Sequence, residues 1–217
     1  MTRHQYNIVY NKLLDAYGQQ HWWPGDSPFE IMVGAVLTQN TAWSNVEKAI
    51  HNLVTRNKLD PHAIIRARRD HLANWLRPSG YFNIKAERLK NFCCWYVDAG
   101  EYAELDKLET PVLRDALLEV KGVGPETADD ILLYAFNRPV FVIDAYTRRL
   151  FARLGLVDGK QDYEQMRATF ERLLKPDVDM FNEYHALIVR HARNVCRTRP
   201  ACEACVLAAE CPTAGIK

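Results

Sequence analysis

Apolar residues recur at every third or fourth position along most of the chain, which is the spacing of one face of an α-helix. Residues 5–17 show this stripe clearly, with Ile8, Val9, Leu13 and Leu14 on one side. The same pattern predicts further helices at residues 29–37, 42–53, 61–68, 71–76, 84–97, 111–120, 125–136, 145–154, 163–174 and 181–195. Only residues 140–143 are predicted to be extended, so we expect an all-α fold.

A glycine-rich turn, Lys121-Gly-Val-Gly-Pro, separates the helices at 111–120 and 125–136. Glycine adopts backbone angles that other residues avoid, and proline suits the first turn of a helix. Amide groups at such a helix start attract anions, and Lys121 adds a positive charge. An ordinary tight turn would also explain the glycines. The apolar residues on both sides favour a helix–hairpin–helix in which Lys121, Gly122 and Gly124 bind a DNA phosphate.

Asp144 follows the extended segment 140–143 and precedes the helix 145–154. Aspartate is a favoured N-cap, which is one interpretation of this residue. The other interpretation is catalytic, because a carboxylate beside a sugar stabilises the positive charge that develops when a glycosidic bond breaks. It can also orient or deprotonate the attacking water.

Four of the six cysteines lie within the last 22 residues, at Cys196, Cys202, Cys205 and Cys211. Thiolates spaced C-x5-C-x2-C-x5-C hold either a tetrahedral zinc ion or an iron–sulfur cluster. A disulfide framework fits less well, because no secretory leader is recognisable and the other two cysteines lie in an apolar, helix-like segment.

The hairpin, Asp144 and the cysteine tail together resemble the helix–hairpin–helix DNA glycosylases of the endonuclease III superfamily, over almost the whole chain. The resemblance implies a six-helix domain at residues 22–134 that ends in the hairpin. It also implies a second lobe of residues 1–21 plus 135–217, with a [4Fe–4S] cluster at 196–211. Double-stranded DNA with a damaged base would lie in the cleft between the lobes. The family spacing is C-x6-C-x2-C-x5-C, one residue longer in the first gap, and zinc remains the alternative metal.

The resemblance assigns catalysis to Asp144, which lies 18 positions after Glu126, as the family's aspartate follows its lysine. In bifunctional members that lysine is the amine nucleophile that attacks the sugar. Glu126 cannot act in this way. The sequence therefore predicts a monofunctional glycosylase, which hydrolyses the glycosidic bond with water and leaves an intact abasic site.

Other motifs resemble the parts of the family that handle DNA and an extruded base. Gln39 matches the glutamine that enters the vacated space, although Asn40 or Thr41 would also suit an ordinary helix-to-helix turn. Tyr81 matches a wedge residue that stacks in the opposite strand. Packing into the core is the alternative for Tyr81.

The Trp22-Trp23-Pro segment, together with the segments around Gln39 and Tyr81, resembles the 3-methyladenine DNA glycosylase branch. This resemblance implies an aromatic pocket, to which Trp43 would also contribute. Glu126 either lines this pocket or contacts the alkylated base, or it is a surface helix residue. Cation–π attraction would favour a positively charged alkylated purine in such a pocket. Anchoring the core is the commoner role of tryptophan and is the alternative for this pair.

The chain has 217 residues, 48% of them hydrophobic, and a formal net charge of +1. This composition predicts a globular core, and the overall charge does not by itself indicate nucleic-acid binding. DNA contacts must come from local clusters such as Arg66, Arg68 and Arg69, although such a cluster is more often a solvated helix face. No apolar run is long enough for a membrane span. We expect a monomer in the cytoplasm, associated with the nucleoid.

Three other functions are compatible with parts of the sequence. They are an endonuclease III-type glycosylase and AP lyase acting on oxidised pyrimidines, a non-catalytic DNA-binding iron–sulfur protein, and a redox or metal sensor. Asp144 at its family spacing argues against the last two, because neither needs a catalytic carboxylate.

Overall fold

The computed structural model describes residues 2–23 and 25–215. In these ranges the chain forms α-helices and no strand, which confirms the all-α prediction. The helices are α1 (Arg3–Tyr17), α2 (Pro28–Leu37), α3 (Trp43–Val54), α4 (Pro61–Arg66), α5 (Arg69–Trp75), α6 (Phe82–Asp98), α7 (Glu101–Leu105), α8 (Thr110–Leu118), α9 (Pro125–Asp130), α10 (Ala145–Arg153), α11 (Tyr163–Leu174) and α12 (Val178–Asn194).

Short helical turns of other types complete the architecture. Three 3₁₀ turns occur at Arg77–Ser79, Cys202–Ala204 and Ala208–Glu210, and a π-helical turn at Ile131–Ala135 continues α9. No helix in the described ranges combines the length and apolar character that a membrane span needs.

The chain folds into two compact units. The continuous unit is Pro24–Arg138, and the split unit combines Met1–Trp23 with Pro139–Lys217. The limits expected from the sequence were 22 and 134. The Arg138 side chain donates to Asp106 O at 2.6 Å and the Arg138 amide donates to Leu132 O at 2.8 Å, so residues as far as 138 are tied to the continuous unit.

Aromatic rings fill the core of the split unit. Phe170 lies 4.5 Å from Phe141 and 4.6 Å from Phe151, measured between ring centroids. The Tyr184 hydroxyl donates to Tyr6 O at 2.8 Å, which ties α12 to α1. Residues 140–143 are buried in this core. The extended segment therefore fixes the position of the next residue, Asp144.

In the continuous unit the buried helix α2 packs against α3, α6 and the π-helical turn. The helices on either side of the hairpin are joined by a buried ion pair, in which Arg114 Nε lies 2.6 Å from Asp129 Oδ1. Buried pairs of this kind need hydrogen-bonding geometry to offset the loss of hydration. Here the second bond, from Arg114 Nη2 to Asp129 Oδ2 at 3.2 Å, makes the pair bidentate and holds α8 against α9.

Candidate active site

Asp144 is buried at the start of α10, where it caps the helix. Its Oδ1 accepts a hydrogen bond from the Thr147 amide at 2.6 Å. Its Oδ2 lies 3.6 Å from His185 Nε2. The N-cap interpretation is therefore correct for one carboxylate oxygen, while the other oxygen faces an imidazole.

The environment of Asp144 favours its charged form. Burial on its own would raise the pKa of this carboxyl, but the interaction with His185 and the bond from the Thr147 amide outweigh burial and hold the pKa below its usual value. Asp144 is therefore an ionised carboxylate at neutral pH, as the stabilisation of a developing cation requires.

Aromatic rings stack beside this carboxylate within the split unit. The Trp22 ring lies 5.8 Å from the His185 ring with an interplanar angle of 10°, and 5.7 Å from the Trp23 ring at 14°. Trp22 and Trp23 are half-buried, whereas His185 is buried. The sequence did not point to His185, which is one of nine buried positions on α12. The sequence signal that could have indicated His185 is a titratable residue among apolar neighbours.

The two glycines of the hairpin differ in whether backbone geometry and packing require a glycine at that position. Gly122 has a φ of +102°, and a Cβ atom there would collide with the Arg88 side chain. Gly124 has an extended backbone, with φ −103° and ψ 178°, and open space where a Cβ would lie. Backbone geometry and packing thus account for Gly122 but not for Gly124.

Lys121 and Gln39 both lie in the neighbourhood of this hairpin. Lys121 is exposed, with Nζ 3.4 Å from Glu87 Oε1. Gln39 is half-buried and its Nε2 donates to Gly122 O at 3.1 Å and to Thr127 Oγ1 at 3.0 Å. The Arg88 guanidinium donates to Gln39 Oε1. Gln39 therefore braces the hairpin, and no motif in the sequence indicated Arg88 as its partner.

Tyr81 is 69% exposed with a φ of +45°, at the start of α6. Its side chain is therefore not packed into the core. The buried Lys85 donates from Nζ to Leu37 O at 2.9 Å and to Ser79 O at 2.5 Å. One ammonium group thus ties the segment that leads to Gln39 to the segment that leads to Tyr81.

The remaining pocket candidates belong to the continuous unit. Trp43 is half-buried at the start of α3, and Glu126 is exposed in the first turn of α9. Trp22 and Trp23 are the pocket candidates that share a unit with Asp144.

The four tail cysteines are free thiols around two short 3₁₀ turns. Burial raises the pKa of the Cys205 thiol, and the neighbouring thiols of Cys196, Cys211 and Cys202 raise it further. No three His, Cys, Asp or Glu side chains in the described ranges are arranged to hold a single metal ion. Four neighbouring thiols from one short segment have the donor chemistry that an iron–sulfur cluster requires.

An arginine anchors this cysteine segment to α10. Arg153 Nη1 lies 3.3 Å from Cys196 Sγ and 2.6 Å from Arg197 O, and its Nη2 lies 3.0 Å from Thr198 O. Arg149 adds bonds to Cys196 O and Ala192 O, each of 2.9 Å. Helix α10 therefore has Asp144 as its N-cap and, towards its other end, the two arginines whose hydrogen bonds fix the cysteine segment.

A family model, related sequences and solved structures all indicate the same family. The family described as "HhH-GPD superfamily base excision DNA repair protein" matches residues 33–176. A protein of Methanocaldococcus jannaschii named "Putative DNA repair glycosylase MJ1434" is 45% identical over 207 residues, covering 94% of each chain. Endonuclease III of Sulfolobus acidocaldarius is 30% identical over 185 residues, covering 84% of this chain and 81% of the relative.

Two solved structures share the fold. Endonuclease III in a non-covalent complex with DNA has a TM-score of 0.83 at 22% identity, covering 98% of this chain and 96% of the other. The Helicobacter pylori 3-methyladenine DNA glycosylase MagIII, bound to 1,N6-ethenoadenine, has a TM-score of 0.74 at 26% identity, covering 88% and 97%. These matches confirm the resemblance to the endonuclease III superfamily. The chain belongs to the HhH-GPD superfamily and is a base excision repair DNA glycosylase of that family.

Proposed function

We propose that this protein is a monofunctional glycosylase that removes an alkylated purine, such as 3-methyladenine, from double-stranded DNA. The observation that carries the proposal is the site in the split unit. There, an ionised Asp144 lies beside His185, Trp22 stacks on the His185 ring, and Trp23 stacks on Trp22. A cationic base suits an electron-rich indole face, and a carboxylate suits a sugar cation.

In the proposed reaction the C1′–N bond breaks and its electron pair leaves with the base. A positively charged alkylated purine becomes neutral as it departs, so it needs little help from a general acid. Asp144 Oδ2 stabilises the sugar cation and orients a water, whose oxygen bonds to C1′ while its proton passes to the carboxylate and then to solvent. Oδ1 remains committed to the Thr147 amide, which keeps the carboxylate oriented.

His185 is a positioning residue in this scheme. Its Nε2 faces Asp144 Oδ2, and its ring stacks against Trp22. The same imidazole therefore sets the position of the carboxylate and that of the first tryptophan.

The absence of lyase activity is proposed from Glu126, which stands where bifunctional relatives have their lysine. A Schiff base needs an amine, which a carboxylate cannot supply. Lys121 is the nearby alternative amine. Borohydride trapping on DNA with an abasic site tests the point: the natural protein should give no covalent complex, and Glu126→Lys should give one. If the natural protein forms as much covalent complex as Glu126→Lys does, another amine, such as Lys121, performs lyase chemistry.

For DNA binding, we propose that the amides around Gly122 and Gly124 and the Lys121 ammonium take a backbone phosphate. The open space at Gly124 supports this role, since neither strain nor packing requires a glycine there. Tyr81, exposed at the start of α6, would wedge into the opposite strand. Gln39 would enter the space of the extruded base, exchanging its bonds to the hairpin for bonds to the DNA. Trp43 and Glu126 are proposed as further pocket residues from the continuous unit.

We propose that Cys196, Cys202, Cys205 and Cys211 hold a [4Fe–4S] cluster, which would act as a structural cross-link of the tail. The four neighbouring thiols could hold either metal, and the similarity to relatives named endonuclease III supports iron over zinc. Iron and sulfide content of purified protein distinguishes the two metals. Zinc without sulfide would contradict the proposal.

Chromatography of the bases released from methylated DNA tests the activity directly. We expect 3-methyladenine among the products of the natural protein and not among those of Asp144→Asn. Release of oxidised pyrimidines without alkylated purines would favour the endonuclease III-type alternative. A protein that binds DNA and releases no base from either substrate would favour the non-catalytic alternative.

A further inference from the structure

Three arginines, Arg66, Arg68 and Arg69, are exposed where α4 meets α5 in the continuous unit, and we call them the arginine corner. Part of this corner lines a pocket of about 360 Å³. The basic and aromatic side chains of the pocket are Lys58, Arg66, Arg68, His71 and Trp75. The net charge of the whole chain is only +1, so three arginines within positions 66–69 are a local concentration of basic side chains.

A half-buried cation beneath the corner makes it more positive. Lys90, on α6, donates from Nζ to Ile65 O at 2.9 Å and to Ala67 O. Carbonyl groups at a helix end carry partial negative charge. Lys90 neutralises the carbonyl groups at the end of α4, so these partial charges do not offset the arginines outside.

The carboxylates that pair with these arginines are exposed, so another anion can take their place. Arg68 pairs with Asp70 at 3.0 Å and Arg69 with Glu87 at 2.8 Å, and all four side chains are at least 41% exposed. Exposed ion pairs of this kind contribute little stability. A phosphate can therefore replace either carboxylate with little loss of stability.

Glu87 also connects the corner to the hairpin. Its Oε2 accepts from Arg69, and its Oε1 lies 3.4 Å from Lys121 Nζ. A second depression, of about 470 Å³, continues the surface past Asn83 and Asp70 to Arg68 and Arg69. The hairpin and the arginine corner thus belong to one face of the continuous unit.

We propose that the arginine corner is a second phosphate-binding surface, which takes the sugar–phosphate backbone of the duplex that the hairpin grips. The cations line two open depressions, which share Arg68, and not a single enclosed cavity. A row of phosphates matches that distribution better than a single small anion does. This proposal rests on the DNA-binding role proposed for the hairpin, and it lengthens the protein's footprint along the strand.

Salt dependence of binding gives the test. The double variant Arg66→Gln/Arg68→Gln is compared with Lys48→Gln/Lys107→Gln, which removes two exposed lysines of the same unit. Binding to an undamaged duplex of about 30 base pairs is measured between about 50 and 200 mM salt. We expect the slope of log affinity against log salt to become shallower by about 0.9 for each phosphate that the arginine variant no longer neutralises. The lysine control should keep the slope of the natural protein.

A gain of affinity provides the complementary readout. Glu87→Gln removes the carboxylate between Lys121 and the corner, so binding should tighten at low salt, a result that damaged folding would not produce. The proposal is overturned if the arginine variant has the salt slope of the lysine control, or if Glu87→Gln fails to tighten binding. Undamaged DNA is used throughout, so these results are independent of the lesion and of the reaction proposed above.

Discussion

Asp144 shows at the scale of one residue how a helix cap can leave one carboxylate oxygen for a second role, here the proposed catalytic one. Aspartate before a helix suggested a cap, and the spacing from Glu126 suggested catalysis. The structure assigns Oδ1 to the cap and directs Oδ2 towards His185. The local sequence pattern predicts the cap, whereas the proposed catalytic role depends on a residue 41 positions away (144 to 185) and on the fold that brings the two together.

Asp144→Asn should separate these roles. Asparagine retains an oxygen that accepts from the Thr147 amide, so the cap and the melting temperature should change little. The negative charge is lost, and single-turnover base release from methylated DNA should fall by about 10²–10⁴-fold. Affinity for DNA containing an abasic site serves as the control and should be preserved. Near-normal release by this variant would remove Asp144 from the mechanism.

His185 is tested by a matched pair of substitutions. His185→Gln keeps an N–H donor near the position of Nε2, whereas His185→Leu keeps bulk without a donor. Base release at saturating enzyme should fall in the leucine variant and recover in part in the glutamine variant. Affinity for abasic DNA should be similar in both. If the two variants lose the same activity, the ring's packing against Trp22 is its whole contribution.

Lys85 predicts a pH dependence of stability. Burial lowers the pKa of this amine from 10.5 to about 8. Between these values the unfolded chain binds more protons than the folded one, so this residue's contribution to the free energy of unfolding rises from pH 8 towards 10.5. Denaturant unfolding at pH 8 and 10 should show a rise in the natural protein relative to Lys85→Met. A parallel response of the two proteins would mean that Lys85 is not the group responsible.

At the scale of elements, the helices follow the apolar periodicity closely. The predicted 163–174 helix is Tyr163–Leu174, and the predicted 29–37 helix is Pro28–Leu37. The five-residue α7, at Glu101–Leu105, was missed because a helix of little more than one turn carries almost no periodic signal. The predicted 125–136 helix changes to a π-helical turn after Asp130. Residues 131–136 are all buried, so their apolar pattern fits either type of turn.

Helix α10 is the element that spans the distance from the catalytic candidate to the cysteine segment. Arg153→Met should lower the melting temperature and the amount of iron retained during dialysis against a chelator, because several carbonyl groups lose a charged donor. Hydrogen bonds to charged groups contribute roughly 1.5–3 kcal/mol each, although solvent reduces this value for the exposed bonds.

Arg172→Met, which replaces an exposed arginine on α11, is the matched control for Arg153→Met and should melt and retain iron like the natural protein. If both variants behave alike, the bonds from Arg153 do not hold the cysteine segment in place.

For the whole molecule, composition predicted a globular core and apolar periodicity predicted helices, but neither identified the ligand. A net charge of +1 conceals the separation of cations and anions over the surface. The roles of Lys85, Arg88 and His185 could not be predicted from the sequence either, because each depends on neighbours that only the folded chain brings together. Lys85 meets Leu37 O and Arg88 meets Gln39, from partners 48 and 49 positions away. Sequence motifs indicate which residues could bind or react, whereas contacts between residues distant in the sequence determine which side chains hold them in position.

If Gln39 enters the duplex as proposed, its hydrogen bonds have a kinetic consequence for the search along DNA. Before Gln39 can enter a duplex, it must release Gly122 O, Thr127 Oγ1 and the Arg88 guanidinium. At a net value of about 0.5–1.5 kcal/mol for each bond, the release sets an energetic threshold that a well-paired base seldom offsets. A damaged base is already easier to unstack. Gln39 would then act as a latch that lets the enzyme pass over intact DNA quickly and pause where pairing is weak.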